Sequence, residues 1–423
     1  IMFAGGMAIG VPSFMPEAAS DLSVTEGLLT VSTTTLQGGA ILEIVVNDPN
    51  ISSTTTDISN GASVTILGTT HDMVQASNGK WYLYVVDNSV AVDMDDNNNG
   101  LDYGFRCTSG LGTGLSANII PSGTNVWAEV IPGQDGATDS GACLDADNMV
   151  SALAGTAVTE TSSTTSRALL SDAVLQGAPS LSNHNDKSST DSNYDLGQRL
   201  HNLNSSGYGT WPYILSIELS GDNIVEYGSD AISVSYGNTG GDAGIGVVNN
   251  NPNEDTQIHL WISDAGLNID PTTADAWEFD LNQESTIIFA NNGTNATMSL
   301  AEQAAMGCAD NCRLTVDDAS TAPGQLVGYD DVVMTEDGAN TGVFTSWNAN
   351  GDSEIYTKED ATADKIHTFK YSGNSADIVI VYNNAGITMT NPNAGDWEPV
   401  TAATITVTDP DLNKNPGSAE TLS

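Results

Sequence analysis

Apolar and polar side chains alternate in many short runs along this chain, and the runs repeatedly stop at clusters of Asp, Asn and Pro. Ile44 and Val46, then Ile258, Leu260 and Ile262, then Ile405 and Val407 fall at every second position. That period sets one face of a strand on a core and leaves the other to solvent. The stretch "HDMVQASNGKWYLYVVD" predicts a hairpin. Val74 and Ala76 lead in, Asn78-Gly79 suits a type I′ turn, and Trp81, Leu83 and Val85 return on one face. Further strands are predicted in "YILSIELSG", "AISVSYG", "STIIFANN", "QLVGYDDVVM" and "ADIVIVYNNAGITM". Helix signals are few: the spacing from Cys143 to Gly155, and "SLAEQAAMG", where Ser299 caps and Glu302 stands three places on. The expected fold class is all-β.

The strongest signal is an internal repeat. Ile262 aligns with Val407, Asp264 with Asp409, Leu267-Asn268 with Leu412-Asn413, Pro271 with Pro416, and Ala274 with Ala419. A shorter copy places Ile44, Val46, Asp48, Pro49 and Ile51 over Ile405, Val407, Asp409, Pro410 and Leu412. Three copies of strand, aspartate and turn predict three domains of one kind. The boundaries expected are a β-sandwich over 21–157, a polar insertion or linker over 158–208, a second sandwich over 209–395, and the start of a truncated third over 396–423. The polar stretch near 158–205 holds one short apolar run, Ala168 to Leu175, and reads as a surface excursion.

Charge changes the picture. Ten basic residues face 54 acidic ones, a net charge of −44, so binding to nucleic acid or to anionic lipid is not expected. The chain is no disordered acidic tail, since 7 Trp, 12 Tyr and many β-branched residues can build packed cores. Its first residues, "IMFAGGMAIGVPSFMPEAAS", read as the tail of a secretory signal over 1–20, with the mature protein starting near Ser20 or Asp21. A short buried strand or helix is the alternative. No segment approaches the ~18 continuous apolar residues of a membrane helix.

Cys107, Cys143, Cys308 and Cys312 suit an oxidising compartment, with Cys107–Cys143 and Cys308–Cys312 as the expected local pairs. Zinc is the weaker reading, because His71, His184, His201, His259 and His367 are scattered. Sequons at Asn50, Asn204, Asn292 and Asn295 are glycan acceptors if the chain is exported.

In "VDMDDNNNGLDYGF", Asp95, Asn97 and Asn99 take the first, third and fifth places of a calcium loop, Gly100 the sixth, and Leu101 offers its carbonyl at the seventh. The twelfth place is Arg106 rather than Glu, and the flanks read as extended strand. The stretch is therefore either a polar turn or a cation site closed by Asp93 or Asp102. The carboxylates and amide after the repeated strands, Asp48, Asp264, Asp270, Asp409, Asp411 and Asn413, carry the same two readings: turn capping, or calcium and other divalent cations between modules. No nucleophile elbow, zincin motif or P-loop is present, and no catalytic residue is expected.

These segments resemble a family: the surface-layer (S-layer) proteins of ammonia-oxidising archaea. The resembling residues are "GVPSFMPEAAS", "EIVVNDPNI", "DMVQASNGKWYLYVVD", "NIVEYGSDAISVSYGNTG", "ISDAGLNIDPTTADAWEFDL", "LTVDDASTAPGQ", "TEDGANTGVFT" and "ITVTDPDLNKNP", covering most of 8–107 and 210–416. The resemblance implies tandem immunoglobulin-like β-sandwich domains with long polar insertions. It also implies an exported, glycosylated, cation-binding lattice subunit that self-associates into a two-dimensional coat. On that reading the loop from Asp95 to Asp102 becomes a cation site. At marine salt the Debye length is about 4 Å, so the charge acts only within narrow pores, where fixed carboxylates hold ammonium and other small cations. A secreted acidic adhesin and an exported glycan-acting enzyme are the rival expectations.

Overall fold

The computed structural model describes residues 20–53, 61–76, 78–95, 101, 103, 105–109, 125–128, 141–142, 213–237, 243–282, 287–290, 297–307, 312–317, 324–390 and 402–421. The expected signal tail, the helix expected over Cys143 to Gly155 and the polar stretch 158–208 lie outside these residues.

The first group of strands is β1 (Val24–Glu26), β2 (Leu29–Val31), β3 (Thr35–Leu36), β4 (Leu42–Val46), β5 (Ser63–Ile66), β6 (Thr69–Asp72), β7 (Val74–Gln75), β8 (Trp81–Asp87), β9 (Phe105–Ser109), β10 (Asn125–Ala128), β11 (Gly141–Ala142), β12 (Tyr213–Ile217), β13 (Gly221–Tyr227) and β14 (Asp230–Tyr236). They form two sheets. One runs β1-β2-β4-β8-β12-β10-β9-β11 with β7 beside β8, and the other runs β3-β14-β13-β5-β6. Helix α1 (Asn88–Asp95) follows β8.

A second group comprises β15 (Gly244–Val247), β16 (Leu260–Ser263), β17 (Ala276–Phe279), β18 (Ile287–Phe289), helix α2 (Leu300–Ala305), β19 (Leu314–Val316), β20 (Leu326–Val327), β21 (Val332–Glu336), β22 (Val343–Thr345), β23 (Tyr356–Thr357), β24 (Ile366–Tyr371) and β25 (Asn374–Val379). Its sheets are β15-β16-β22-β21-β17-β18, β19-β24-β25 and β20-β23. Two last strands, β26 (Gly386–Thr390) and β27 (Thr404–Thr408), pair with each other and, among the described residues, with no other strand. The described chain is thus all-β and sandwich-like, with alternation deciding which face is buried. Ile44, Val46, Leu260 and Ile262 are fully buried, and one continuous apolar core runs through both groups.

Strand pairing groups residues differently from the boundary expected at 209. β12 pairs with β8, β13 with β5, and β14 with β3, so residues 213–236 complete the first pair of sheets. The polar stretch therefore interrupts a single sheet.

Two local expectations also change. The hairpin before Trp81 forms, with Val74 opposite Tyr82, but its loop is not a two-residue type I′ turn. Ala76 N–H donates to Lys80 O and Gly79 N–H to Ala76 O, and Gly79 carries φ +83°, which makes a three-residue loop ending in a left-handed glycine. Of the flank "YVVDNSVAV", expected to be extended, the first four residues end β8 and the chain from Asn88 is helix α1. Asp87 starts it: its Oδ1 accepts from the amides of Ser89 and Val90, both at 3.1 Å. Ala91 and Met94, three apart, are its buried face. The helix at Ser299 forms as expected with both halves of its capping box.

Candidate functional site

Each copy of the sequence repeat folds into the same turn. After β4, β16 and β27 the chain makes one 3-10 turn, at Pro49–Ile51, Ala265–Leu267 and Pro410–Leu412. In all three the aspartate at its start, Asp48, Asp264 or Asp409, accepts the amide two residues on, at 2.9, 2.7 and 3.1 Å. The carboxylates are thus used as caps, because a short polar side chain satisfies an amide the turn would otherwise leave open. Asn268 and Asn413 close their turns with φ −86° and −84° at ψ 92°.

Two aromatic anchors recur that sequence reasoning missed. Tyr227 and Tyr371, each the last residue of a hairpin's first strand, donate their hydroxyls to Asp48 Oδ2 and Asp264 Oδ2, both at 2.8 Å. Trp81 and Trp277 donate their indole N–H to the turn's last carbonyl, Ile51 O at 2.9 Å and Leu267 O at 2.8 Å. The tyrosines lie 179 and 107 residues from their aspartates, so no local spacing marks them.

The repeat also builds a joint between successive units. Seven residues before Asp48, the amide of Ile41 donates to Ile269 O, five residues after Asp264, at 2.9 Å. Gln257, seven before Asp264, does the same to Lys414 O, five after Asp409, at 2.7 Å. The accepting residue is held at its amide by an acid eleven residues after the capping aspartate. Asp275 Oδ2 accepts Ile269 N–H at 2.5 Å, and Glu420 Oε2 accepts Lys414 N–H at 2.7 Å. Eleven residues before the capping aspartate an amide side chain reaches across: Gln37 Nε2 to Asp264 Oδ1 at 3.2 Å, and Asn253 Nδ2 to Asp411 O at 2.8 Å. Asp275 and Glu420 are the next column of the repeat after Ala274 and Ala419, and that column was the available signal.

The first joint is buried and strongly acidic. Asp270 and Asp275 are fully buried and Glu336 nearly so. Asp275 N–H donates to Glu336 Oε2 at 3.1 Å, Thr341 and Gly342 donate to Glu336 Oε1, and Thr272 donates to Asp270 Oδ1. Burial, and then the charges of Asp270 and Glu336, push the Asp275 carboxyl well above the ordinary carboxylate range. Burial likewise raises Asp264 and Glu336. On the facing unit Glu43, half-buried beside Tyr84 whose hydroxyl donates to it at 3.1 Å, is pushed up to about 7 by desolvation. Asn340 locks the same joint, donating to Asp21 Oδ1 and Ser32 O and accepting from Asn268 Nδ2 at 2.9 Å.

The remaining expected site residues are dispersed. Asp411 accepts from the amide and side chain of Asn383. Asp93 is exposed on α1 and Asp95 ends that helix, while Asn97, Asn99 and Asp102 lie outside the described residues. Among the described residues no three His, Cys, Asp or Glu side chains are placed to hold a metal ion. Cys312 is buried and is not a free thiol. Cys143 and Cys308 lie outside the described residues, though β11, which ends just before Cys143, pairs with β9 at Cys107. His259 is buried and stacked on Trp347, its centroid 4.9 Å away, and desolvation lowers it to about 4. Asn50 is exposed in the first turn, with its Nδ2 on Asp48 Oδ1 at 2.9 Å; Asn204, Asn292 and Asn295 lie outside the described residues.

The arrangement can do one thing plainly: it joins like units in series at a fixed register through backbone and buried polar groups. No family model matches the chain and no curated protein gives a significant match.

Proposed function

We propose that this chain is a structural subunit of a cell-surface S-layer lattice, exported and built of immunoglobulin-like units. The observation that carries the reading is the repeated joint, in which Ile41 meets Ile269 as Gln257 meets Lys414. A load-bearing coat needs rod-like subunits of fixed geometry, and a joint of equivalent bonds in equivalent places supplies that. The surface charge fits the same role. With a net charge of −44, neighbouring subunits repel unless small cations sit between them. Ammonium and other monovalent ions serve as mobile counter-ions in the pores. Divalent ions, calcium foremost, bridge exposed carboxylates between copies at the weak affinities of extracellular sites. The loop from Asp95 to Asp102 is the internal site proposed for such an ion, and Asn50 the exposed glycan acceptor. The role has no catalytic step.

The test is assembly of the purified protein with millimolar calcium and after chelation, followed by electron microscopy. Ordered sheets with calcium and loss of order in chelator support the reading. Soluble single molecules at every calcium concentration favour an acidic adhesin instead.

A further inference from the structure

The second joint sets an amine against a carboxamide, and the first does not. Eleven residues before one capping aspartate and five after the next stand Gln37 and Ile269 in the first joint, Asn253 and Lys414 in the second. Lys414 Nζ donates to Asn253 Oδ1 at 3.0 Å and to Glu254 O at 2.5 Å. The carboxamide is also fixed from its other sides. Its Nδ2 donates to Asp411 O at 2.8 Å, and its Oδ1 accepts the hydroxyl of Thr256, which polarises the carbonyl. Asn253 and Thr256 are buried and Lys414 is half-buried. In a chain with 54 acidic residues, this lysine has no carboxylate partner among the described residues. Its contacts are neutral oxygens, one of them bonded to the electrophilic Cγ of Asn253. The clamps differ as well: Asp275 in the first joint is fully buried, whereas Glu420 in the second is exposed.

We propose that Lys414 and Asn253 join in an intramolecular isopeptide bond that locks the second joint covalently. Nζ attacks Cγ; the Nζ–Cγ bond forms and the Cγ–Nδ2 bond breaks. The ammonium of Lys414 and the carboxamide of Asn253 become one secondary amide, and Nδ2 leaves with two of the Nζ protons as an ammonium ion. Atoms and charge balance with no further reactant. The Thr256 hydroxyl stabilises the charge that develops on Oδ1, and Asp411 O holds the leaving nitrogen. A plain carboxamide reacts poorly with a free amine, but well-oriented partners held in contact reach effective concentrations of about 10⁵–10⁸ M. The reaction is needed once per molecule, so slow chemistry suffices. The new bond ties the loop before β16 to the chain after the third turn, beside the hydrogen bond from Gln257 N–H to Lys414 O. A joint whose acid clamp lies in water gains most from such a closure.

The experiment is mass spectrometry of the purified 423-residue chain, intact and after digestion. Most molecules should lack one ammonia, about 17 Da, and digestion should yield a branched peptide joining the segments around Asn253 and Lys414. Lys414→Arg keeps a cationic donor but does not form this amide, so it should give linear peptides only. Linear peptides from the parent chain, even after days at mildly alkaline pH, overturn the proposal. The same mass loss mapped to Asn78-Gly79 as a succinimide, with no branched peptide, overturns it as well. The parent chain carries the test, so it stands even where the variant fails to fold. The inference rests on the second joint and not on the lattice reading, so each can fail without the other.

Discussion

The amide of Ile41 lies 2.9 Å from the carbonyl of Ile269, whose own amide is held by the buried carboxyl of Asp275 at 2.5 Å. Ile269 is thus held at both its carbonyl and its amide, by a neighbouring unit and by an acid from its own. Asparagine keeps an acceptor oxygen in that place and removes one carboxyl from a buried acidic cluster. Asp275→Asn is expected to cost less than about 1 kcal/mol, and Asp275→Ala about 2–4 kcal/mol, since the latter leaves buried amides unpaired. Denaturant unfolding of the two variants checks the contrast.

The capping aspartates should differ in weight although their turns match. Asp264 is buried and also receives Tyr371 and Gln37, so Asp264→Ala is expected to cost about 3 kcal/mol. Asp409 is half-buried and serves only its own turn among the described residues. Asp409→Ala is expected to cost about 0.5–1 kcal/mol, and thermal melts of both variants in one buffer separate the two.

Gly38 adopts φ +54° where the first unit meets α2, and a Cβ built there would lie 2.1 Å from the carbonyl oxygen of Met306. Gly38→Ala therefore combines left-handed strain with a backbone clash, and a loss above about 2 kcal/mol is expected. Hydrogen exchange should report it as faster exchange at Ile41 and Gly307.

Acidity should tune the first joint in an unusual direction. Glu43 is held neutral to about 7 in the folded protein, while the unfolded chain ionises it near 4.5. Its contribution to stability is therefore whole below 4.5 and is lost as pH rises through about 7. Asp275, raised by burial and its acidic neighbours, acts with the same sign. Glu43→Gln, which keeps an acceptor for Tyr84, should match the parent below pH 4.5 and exceed it by about 1–3 kcal/mol at pH 8. A parent that instead gains stability from pH 5 to 8 while the variant does not would contradict this.

Much of this fold was legible because alternation and capping are local. The strands at Ile44, Ile262 and Val407, the capping box at Ser299 and the three aspartate turns were all visible as short patterns. Helix α1 was missed because valines and asparagines masked the cap of Asp87 and the buried pair Ala91 and Met94. The boundary near 209 was missed because the pairing of β12 with β8 spans the long polar stretch, and loop closure of that length leaves no local trace. The carboxylates raised two readings in the sequence, cap or cation ligand. Asp48, Asp264 and Asp409 are seen as caps, a use any chain-local hydrogen bond could announce. Tyr227, Tyr371 and the joint across Ile41 could not be read, since nothing in a linear pattern says which unit faces which.

The central claim is that serially joined acidic sandwiches tile a cell surface with cations between them. Electron cryotomography of the intact envelope tests it most directly, averaging the surface before and after divalent ions are chelated. The account predicts a periodic array into which this chain fits as a rigid rod, with the array loosening on chelation. An envelope without such an array, or one whose density this chain does not fit, would contradict it.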